Sequence, residues 1–167
     1  MCICLEMFIL SIDIGVRNFG MSVYCTEKKE FILFKLLNLG KVKDYVLKMK
    51  EVTSEEPFLS ADVILVENQM RSCMKTMATA IRAFHFDKVV CVAPQSIKRF
   101  FRSSMKKHSK NKKVAVELAR TLLNKVNLTE YESLKKKDDI ADCILQTQWY
   151  IKRYQQTRCS QRVIKVE

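Results

Sequence analysis

Apolar and polar positions follow two different periods along this chain, and each change of period marks an element. Residues 8–14 (Phe-Ile-Leu-Ser-Ile-Asp-Ile) form an apolar, β-branched run, the pattern of a strand buried on both faces. Arg17-Asn18-Phe19-Gly20 reads as a turn, and residues 21–25 as a second short strand. A charged loop carrying Glu27, Lys28, Lys29 and Glu30 leads to a third apolar run at 31–37, which completes an antiparallel meander. Val42, Tyr45, Val46 and Met49 have helical spacing and predict a helix over 43–52. After a loop containing Pro57, residues 61–66 read as a buried strand ending on Glu67. The spacing of Met70, Met74, Met77, Ile81 and Phe84 predicts a helix over 70–86 with that stripe in the core. Residues 88–93 read as a strand closed by Pro94, and residues 114–126 as an amphipathic helix. A last helix over 138–154 carries Ile140, Ile144 and Ile151 on its apolar side. A meander running into βαβ crossovers predicts an α/β fold, a mixed five-stranded sheet with helices packed on it. Three glycines and two prolines leave little room for linkers, so residues 1–167 read as a single domain.

Acidic residues interrupt this pattern at informative places. Asp13 lies in the first apolar run, and a carboxylate buried there needs a cation or a metal beside it. Alternatively the strand stops at Ser11 and Asp13 belongs to the turn. Glu67 ends the fourth strand, where a site carboxylate and a strand-end partner of a lysine are the two readings. Asp139 and Asp142 lie three apart at the start of the last helix, so both point from one face. They equally suit a helix cap and a first-turn acid, which the helix dipole favours. If the first and fourth strands are neighbours and the last helix covers them, four carboxylates meet. Such a cluster repels itself unless cations stand among its members. Hard oxygen donors without thiolate or imidazole suit Mg2+ or Mn2+, and two such ions cut phosphodiesters.

Charge adds a partner to this picture. Lysine and arginine number 30 against 18 acidic residues, a net charge of +12. Between Ser96 and Arg120 there are nine basic residues and one acid, Glu117, with Phe100 and Phe101 among them. A concentrated positive stretch of this kind binds phosphates, although a charge block also makes a solvated loop. The seven cysteines, at 2, 4, 25, 73, 91, 143 and 159, contain no Cys-x-x-Cys pair, which argues against zinc and for reduced thiols. The N-terminal stretch reads neither as a secretory signal nor as an Arg-rich transit peptide, and no apolar run approaches a membrane span.

Three of these segments carry a resemblance. Ser11-Ile12-Asp13-Ile14-Gly15 with Arg17-Asn18 resembles the first strand of the RNase H-like nucleases. Val66-Glu67-Asn68-Gln69 followed by Arg71-Ser72 resembles the second acidic motif of the RuvC-type Holliday junction resolvases. Asp138-Asp139-Ile140-Ala141-Asp142 resembles their closing Asp-x-x-Asp helix. In order and spacing the three are most similar to the poxvirus resolvases and their relatives in other large DNA viruses.

The resemblance implies an RNase H-like fold and a homodimer. It also implies Mg2+-dependent, paired, symmetrical nicking of four-way DNA junctions during viral recombination and concatemer resolution. It implies metal ligation by Asp13, Glu67, Asp139 and Asp142; Asp139 is preferred to the adjacent Asp138 because it keeps the spacing to Asp142. A catalytic lysine is implied near the penultimate helix. Lys112 fits best by its distance from the helix at Val114, with Lys110 and Lys113 as rivals. DNA contacts are expected from Arg17, Gln69, Arg71, Lys75, Lys98, Arg99, Arg102, Lys106, Lys107, Lys110 and Lys113. The helix after Glu67 is implied to lie near the two-fold axis. The host cytoplasm, a reducing compartment, is the implied location, with no membrane and no small-molecule cofactor. The rival readings are another RNase H-like nuclease, acting on RNA–DNA hybrid or on branched DNA generally, and a DNA-binding module without catalysis. A sugar- or ATP-handling relative would need glycine-rich phosphate loops.

Overall fold

The computed structural model describes residues 6–101 and 111–163, with the backbone alone at 111 and from 154 onward. The meander forms, with its second strand starting at Phe19 because Gly20 pairs with Asp13, so the turn is shorter than expected: β1 (Phe8–Asp13), β2 (Phe19–Cys25) and β3 (Glu30–Leu37) pair antiparallel in sequence. After α1 (Tyr45–Thr53), β4 (Val63–Glu67) returns to pair parallel with β1. After α2 (Ser72–Phe84), β5 (Val89–Val92) pairs parallel with β4. The sheet order is therefore β3-β2-β1-β4-β5, mixed as expected. Four further helices follow: α3 (Pro94–Phe100), α4 (Asn111–Leu122), α5 (Lys125–Ser133) and α6 (Lys137–Val163).

The two-residue period of the strands divides the core into two layers. Leu10 and Ile12 of β1, Ile64 and Val66 of β4, and Met21 and Val23 of β2 face α1 and α2, where Met49, Met77 and Ile81 cover them. Ile9, Leu65 and Tyr24 face the other way, toward Tyr131 of α5 and Ile140, Ile144, Leu145 and Trp149 of α6. Each fully buried side chain of this size contributes on the order of 1.5–3 kcal/mol through burial. By the same alternation Ser11, Asp13 and Glu67 belong to the α6 side. The strand runs through Asp13, its last residue, so the shorter strand ending at Ser11 is excluded.

Several helix boundaries differ from the sequence reading. Pro94 was expected to close β5; it also opens α3, where a missing N–H costs nothing and the fixed φ favours a first turn. The helix expected over 114–126 is two helices. α4 stops at Leu122, and the Asn124 side chain accepts from Asn127 N at 2.8 Å to cap α5. The stripe on α2 is only partly in the core. Met77 and Ile81 are fully buried, but Met70 precedes the helix and is 88% exposed, and Phe84 at its end is 40% exposed. α1 begins at Tyr45, because the Asp44 side chain caps Val46 N and Leu47 N. No helix among the described residues is long and apolar enough to cross a membrane.

On the edge of β3 that faces away from β2, a side chain stands where a further strand would. Asn127 of α5 donates from Nδ2 to Phe31 O at 2.7 Å and accepts from Phe31 N at 3.2 Å. A buried amide thus satisfies both backbone groups as a neighbouring strand would. Replacing Asn127 by Ala leaves both without partners and should cost about 2–4 kcal/mol. Urea denaturation should show a lower midpoint at unchanged slope; a midpoint equal to wild type would show that Phe31 needs no such partner.

Candidate active site

The register places the first two carboxylates side by side. Ile12 pairs with Val66, so Asp13 and Glu67 end neighbouring parallel strands one position further on. α6 crosses this end of the sheet. Its residues 138, 142, 145 and 146 form one helical stripe on a pocket that Asp13, Glu67, Gln69, Arg71, Lys98 and Lys112 complete. Asp139 lies off this stripe, against β2. A Cβ on Gly20 would stand 3.2 Å from the Asp139 carbonyl oxygen, so the absence of a side chain there lets α6 approach. Gly15 plays a similar part in the turn after Asp13, where a Cβ would overlap the Asn18 carbonyl oxygen.

Burial and mutual repulsion dominate the electrostatics. Burial, then the negative charges of Asp142, Asp139 and Glu67, push the Asp13 carboxyl from 3.8 up to about 8, against the opposing pull of Lys112. Burial, with Glu67 and Asp139, pushes Asp142 up to about 7, again against Lys112. Asp139 is raised by burial and by Asp138; Glu67 is raised by burial, opposed by Lys98. Asp138 behaves in the opposite way. The Lys112 ammonium lies 2.5 Å from its Oδ2 and holds it below the usual carboxylate range.

The fit to a metal follows from these facts. Among the described residues no three Asp, Glu, His or Cys side chains are gathered closely enough to hold one ion as they stand. The donors nevertheless suit a hard divalent ion. They are all carboxylates, two are strained toward protonation, and Asp139 Oδ2 is buried with no hydrogen-bond partner.

The basic residues separate into groups. Gln69, Arg71 and Lys98 border the carboxylate pocket, with Gln69 Nε2 buried and unpartnered. Lys112 reaches the same pocket, whereas Lys113 faces a different groove with Val114, Glu117 and Thr121. Arg17 lines a separate hollow with Asn38, Lys41 and Tyr45. Lys75 and Arg99 are exposed on α2 and α3. Arg102, Lys106, Lys107 and Lys110 lie outside the described residues.

One pocket residue escaped the sequence reading. Gln146 is 2% exposed, lines the pocket one turn past Asp142, and accepts from Ser11 Oγ at 2.6 Å, while its Nε2 has no partner. Its only sequence signal is the four-residue step from Asp142, which places both on one face. Cys143 beside them is buried, and burial with the charges of Asp13 and Asp142 pushes its thiol up, so it stays protonated.

Comparison with known proteins fits this arrangement. The family model described as Poxvirus A22 protein matches residues 7–153. The chain belongs to the poxvirus A22 family. No curated protein sequence matches it. Among solved structures it resembles the fowlpox virus resolvase in complex with its substrate Holliday junction DNA. That match has a TM-score of 0.66 and 19% identity, and covers 89% of this chain and 99% of the other. The fowlpox virus Holliday junction resolvase solved separately gives 0.65 and 16%, with 89% and 99% covered. T. thermophilus RuvC in complex with Holliday junction substrate gives 0.58 and 15%, with 88% and 96% covered. At these identities the likeness to the solved structures is one of fold: this A22-family chain has the mixed-sheet architecture of the resolvases, as its motifs imply.

The raised carboxyls make a prediction about the protein without metal. A carboxyl whose folded pKa exceeds its unfolded value stabilises the fold fully below the unfolded value. That stability is lost as pH rises through the folded pKa. For Asp13 and Asp142 the loss runs from about pH 4 to about pH 8. In EDTA, Tm should therefore fall by roughly 5–10 °C between pH 5 and pH 8. Asp13→Asn should flatten this slope, and Mg2+ should raise Tm more at pH 8 than at pH 5. A slope identical in wild type and Asp13→Asn would show that Asp13 ionises freely.

Proposed function

We propose that the chain is a Holliday junction resolvase, an endodeoxyribonuclease that nicks four-way DNA junctions in pairs during viral DNA recombination and replication. The observation that carries this reading is the pocket itself. Asp13 and Glu67 from neighbouring strand ends face α6 with its aspartates, beneath a lysine at the rim. Membership of the poxvirus A22 family supports it, as does a fold shared with fowlpox virus resolvase and RuvC, both seen with junction DNA.

In this reading Asp13, Glu67, Asp139 and Asp142 hold Mg2+, or Mn2+, as two ions. When bound, the ions supply charge neutralisation and an activated water for phosphodiester hydrolysis. The chain's own residues orient the DNA around them. Arg71 and Lys98 on the pocket border take backbone phosphates, which fixes the strand without reading its sequence. Lys112 presents an ammonium to the phosphate under attack, where negative charge grows. The buried wall of Leu145 and Ile12 keeps bulk water from one side of the pocket.

A second copy of the chain completes the enzyme. A four-way junction offers equivalent strands in pairs, and a two-fold dimer presents two equivalent sites. Met70 before α2 and Phe86 after it are exposed apolar side chains that a partner subunit would cover. The host cytoplasm suits the free thiols of Cys25, Cys73, Cys91 and Cys143.

Cleavage of a synthetic four-way junction in Mg2+ tests the reading. Wild type should leave symmetric, ligatable nicks. Asp139→Asn should cut at least about a hundredfold more slowly while binding the junction as well as wild type. Binding without cutting by wild type would point to a DNA-binding module. Preference for an RNA–DNA hybrid over the junction would point to an RNase H activity.

A further inference from the structure

Adjacent aspartates at the start of α6 stand in different surroundings. Asp139 has a buried oxygen that nothing in the protein satisfies. Asp138 is already occupied: Lys112 donates to its Oδ2 at 2.5 Å, and the contact joins the first turn of α4 to the first turn of α6. The lysine brings little order of its own to this contact. Its side chain is 78% exposed, against 21% for that of Asp138, so the partner that fixes the ammonium is the less mobile carboxylate on the packed helix. A lysine is a point charge on a flexible four-carbon stem, and placing it costs rotamer entropy. A carboxylate on a helix whose next turns are buried at Ile140, Ala141 and Ile144 meets that cost before substrate arrives.

Donor counting leaves the lysine free to act while it is held. An ammonium has three N–H groups, of which Asp138 takes one, and Lys112 and Asp138 both border the pocket of Asp13, Glu67 and Asp142. The pair is also neutral as a unit. A bare Asp138 at the rim would add one more negative charge to a pocket that must admit a phosphate. An ion bound to Asp138 would draw the carboxylate's charge away from the lysine and loosen the one fixed attachment that Lys112 has among the described residues.

We propose that Asp138 is a positioning residue for Lys112, holding its ammonium over the carboxylate pocket, and that it is not a ligand of the ion. This rests on the nuclease reading and assigns the two neighbouring aspartates different tasks. Asp139 belongs to the ion and Asp138 to the lysine.

A double-mutant cycle with Lys112→Ala and Asp138→Asn tests the assignment on the full chain, read as single-turnover cutting of a four-way junction across a Mg2+ titration. Lys112→Ala should lower the cutting rate about a hundredfold. Asp138→Asn should lower it about tenfold. The double variant should match Lys112→Ala within about twofold, because Asp138 has nothing to act on once the lysine is gone. Junction affinity and the Mg2+ midpoint should stay within about twofold of wild type in Asp138→Asn, and Asp138→Glu should recover part of the rate. Effects that multiply in the double variant would overturn the proposal, as would a Mg2+ midpoint raised about tenfold in Asp138→Asn.

A second readout does not depend on cutting. The Mg2+-induced rise in Tm should survive in Asp138→Asn and be reduced in Asp139→Asn; its loss in Asp138→Asn would make Asp138 a ligand. If wild type cuts RNA–DNA hybrid instead of junctions, the resolvase reading fails and the cycle is run on the hybrid with the same expectations. If wild type cuts nothing, the nuclease reading fails and the Tm comparison alone decides whether Asp138 meets the ion.

Discussion

The constraint on which this molecule turns is the mutual repulsion of carboxylates brought together in a pocket too buried to dilute their charge. Asp13 and Asp142 are mostly removed from water; Asp142, Asp139 and Glu67 disfavour the anion of Asp13, and Glu67 and Asp139 that of Asp142. Folding alone gains nothing from this arrangement; an apolar residue at either position would satisfy the surroundings better. The fold bears the strain because the sheet and α6 are held by other means. Two apolar layers close both faces of the sheet. Tyr131, fully buried, donates to Lys137 O at 3.0 Å and so fixes the first residue of α6. Charge is thus concentrated at one end of a scaffold whose stability lies elsewhere.

Alternation along the strands turns that scaffold into a site. Ser11, Asp13, Leu65 and Glu67 share one side of the sheet because every second residue must. The parallel register of β1 and β4 then makes Asp13 and Glu67 neighbours. The C-terminal ends of parallel strands are where α/β sheets open a crevice, and α6 crosses this one with its acidic first turn.

How much of this was legible depends on the kind of signal each residue gives. Buried strands announce themselves by continuous apolar runs, so all five were recognisable, and the order of elements implied the mixed sheet. The carboxylates were legible because a charge inside an apolar run is conspicuous. Helix ends were less so. The stripe on α2 has a correct period, but period says nothing of where burial stops, and Met70 and Phe84 fall at the frayed edges. Pro94 was ambiguous because a proline that ends a strand also suits a helix start. The break between α4 and α5 depended on one cap, Asn124, inside a pattern otherwise continuous. Gln146 gave no signal that a neutral surface glutamine would not also give. The pairing of Lys112 with Asp138 spans 26 residues and depends on a fold no local pattern encodes.

The bond between Ser11 and Gln146 has a meaning beyond its energy. Strands in a sheet are indexed to one another by a ladder, but a helix lying across them has no ladder. Apolar contacts resist separation far more than they resist sliding. One directional bond from mid-strand to mid-helix acts as a detent, setting how far along the sheet α6 comes to rest. Residues 11 and 146 therefore act as a single setting of the fold. Loss of either end of this bond would release the distance between two halves of the site, which the apolar contacts around it do not fix by themselves.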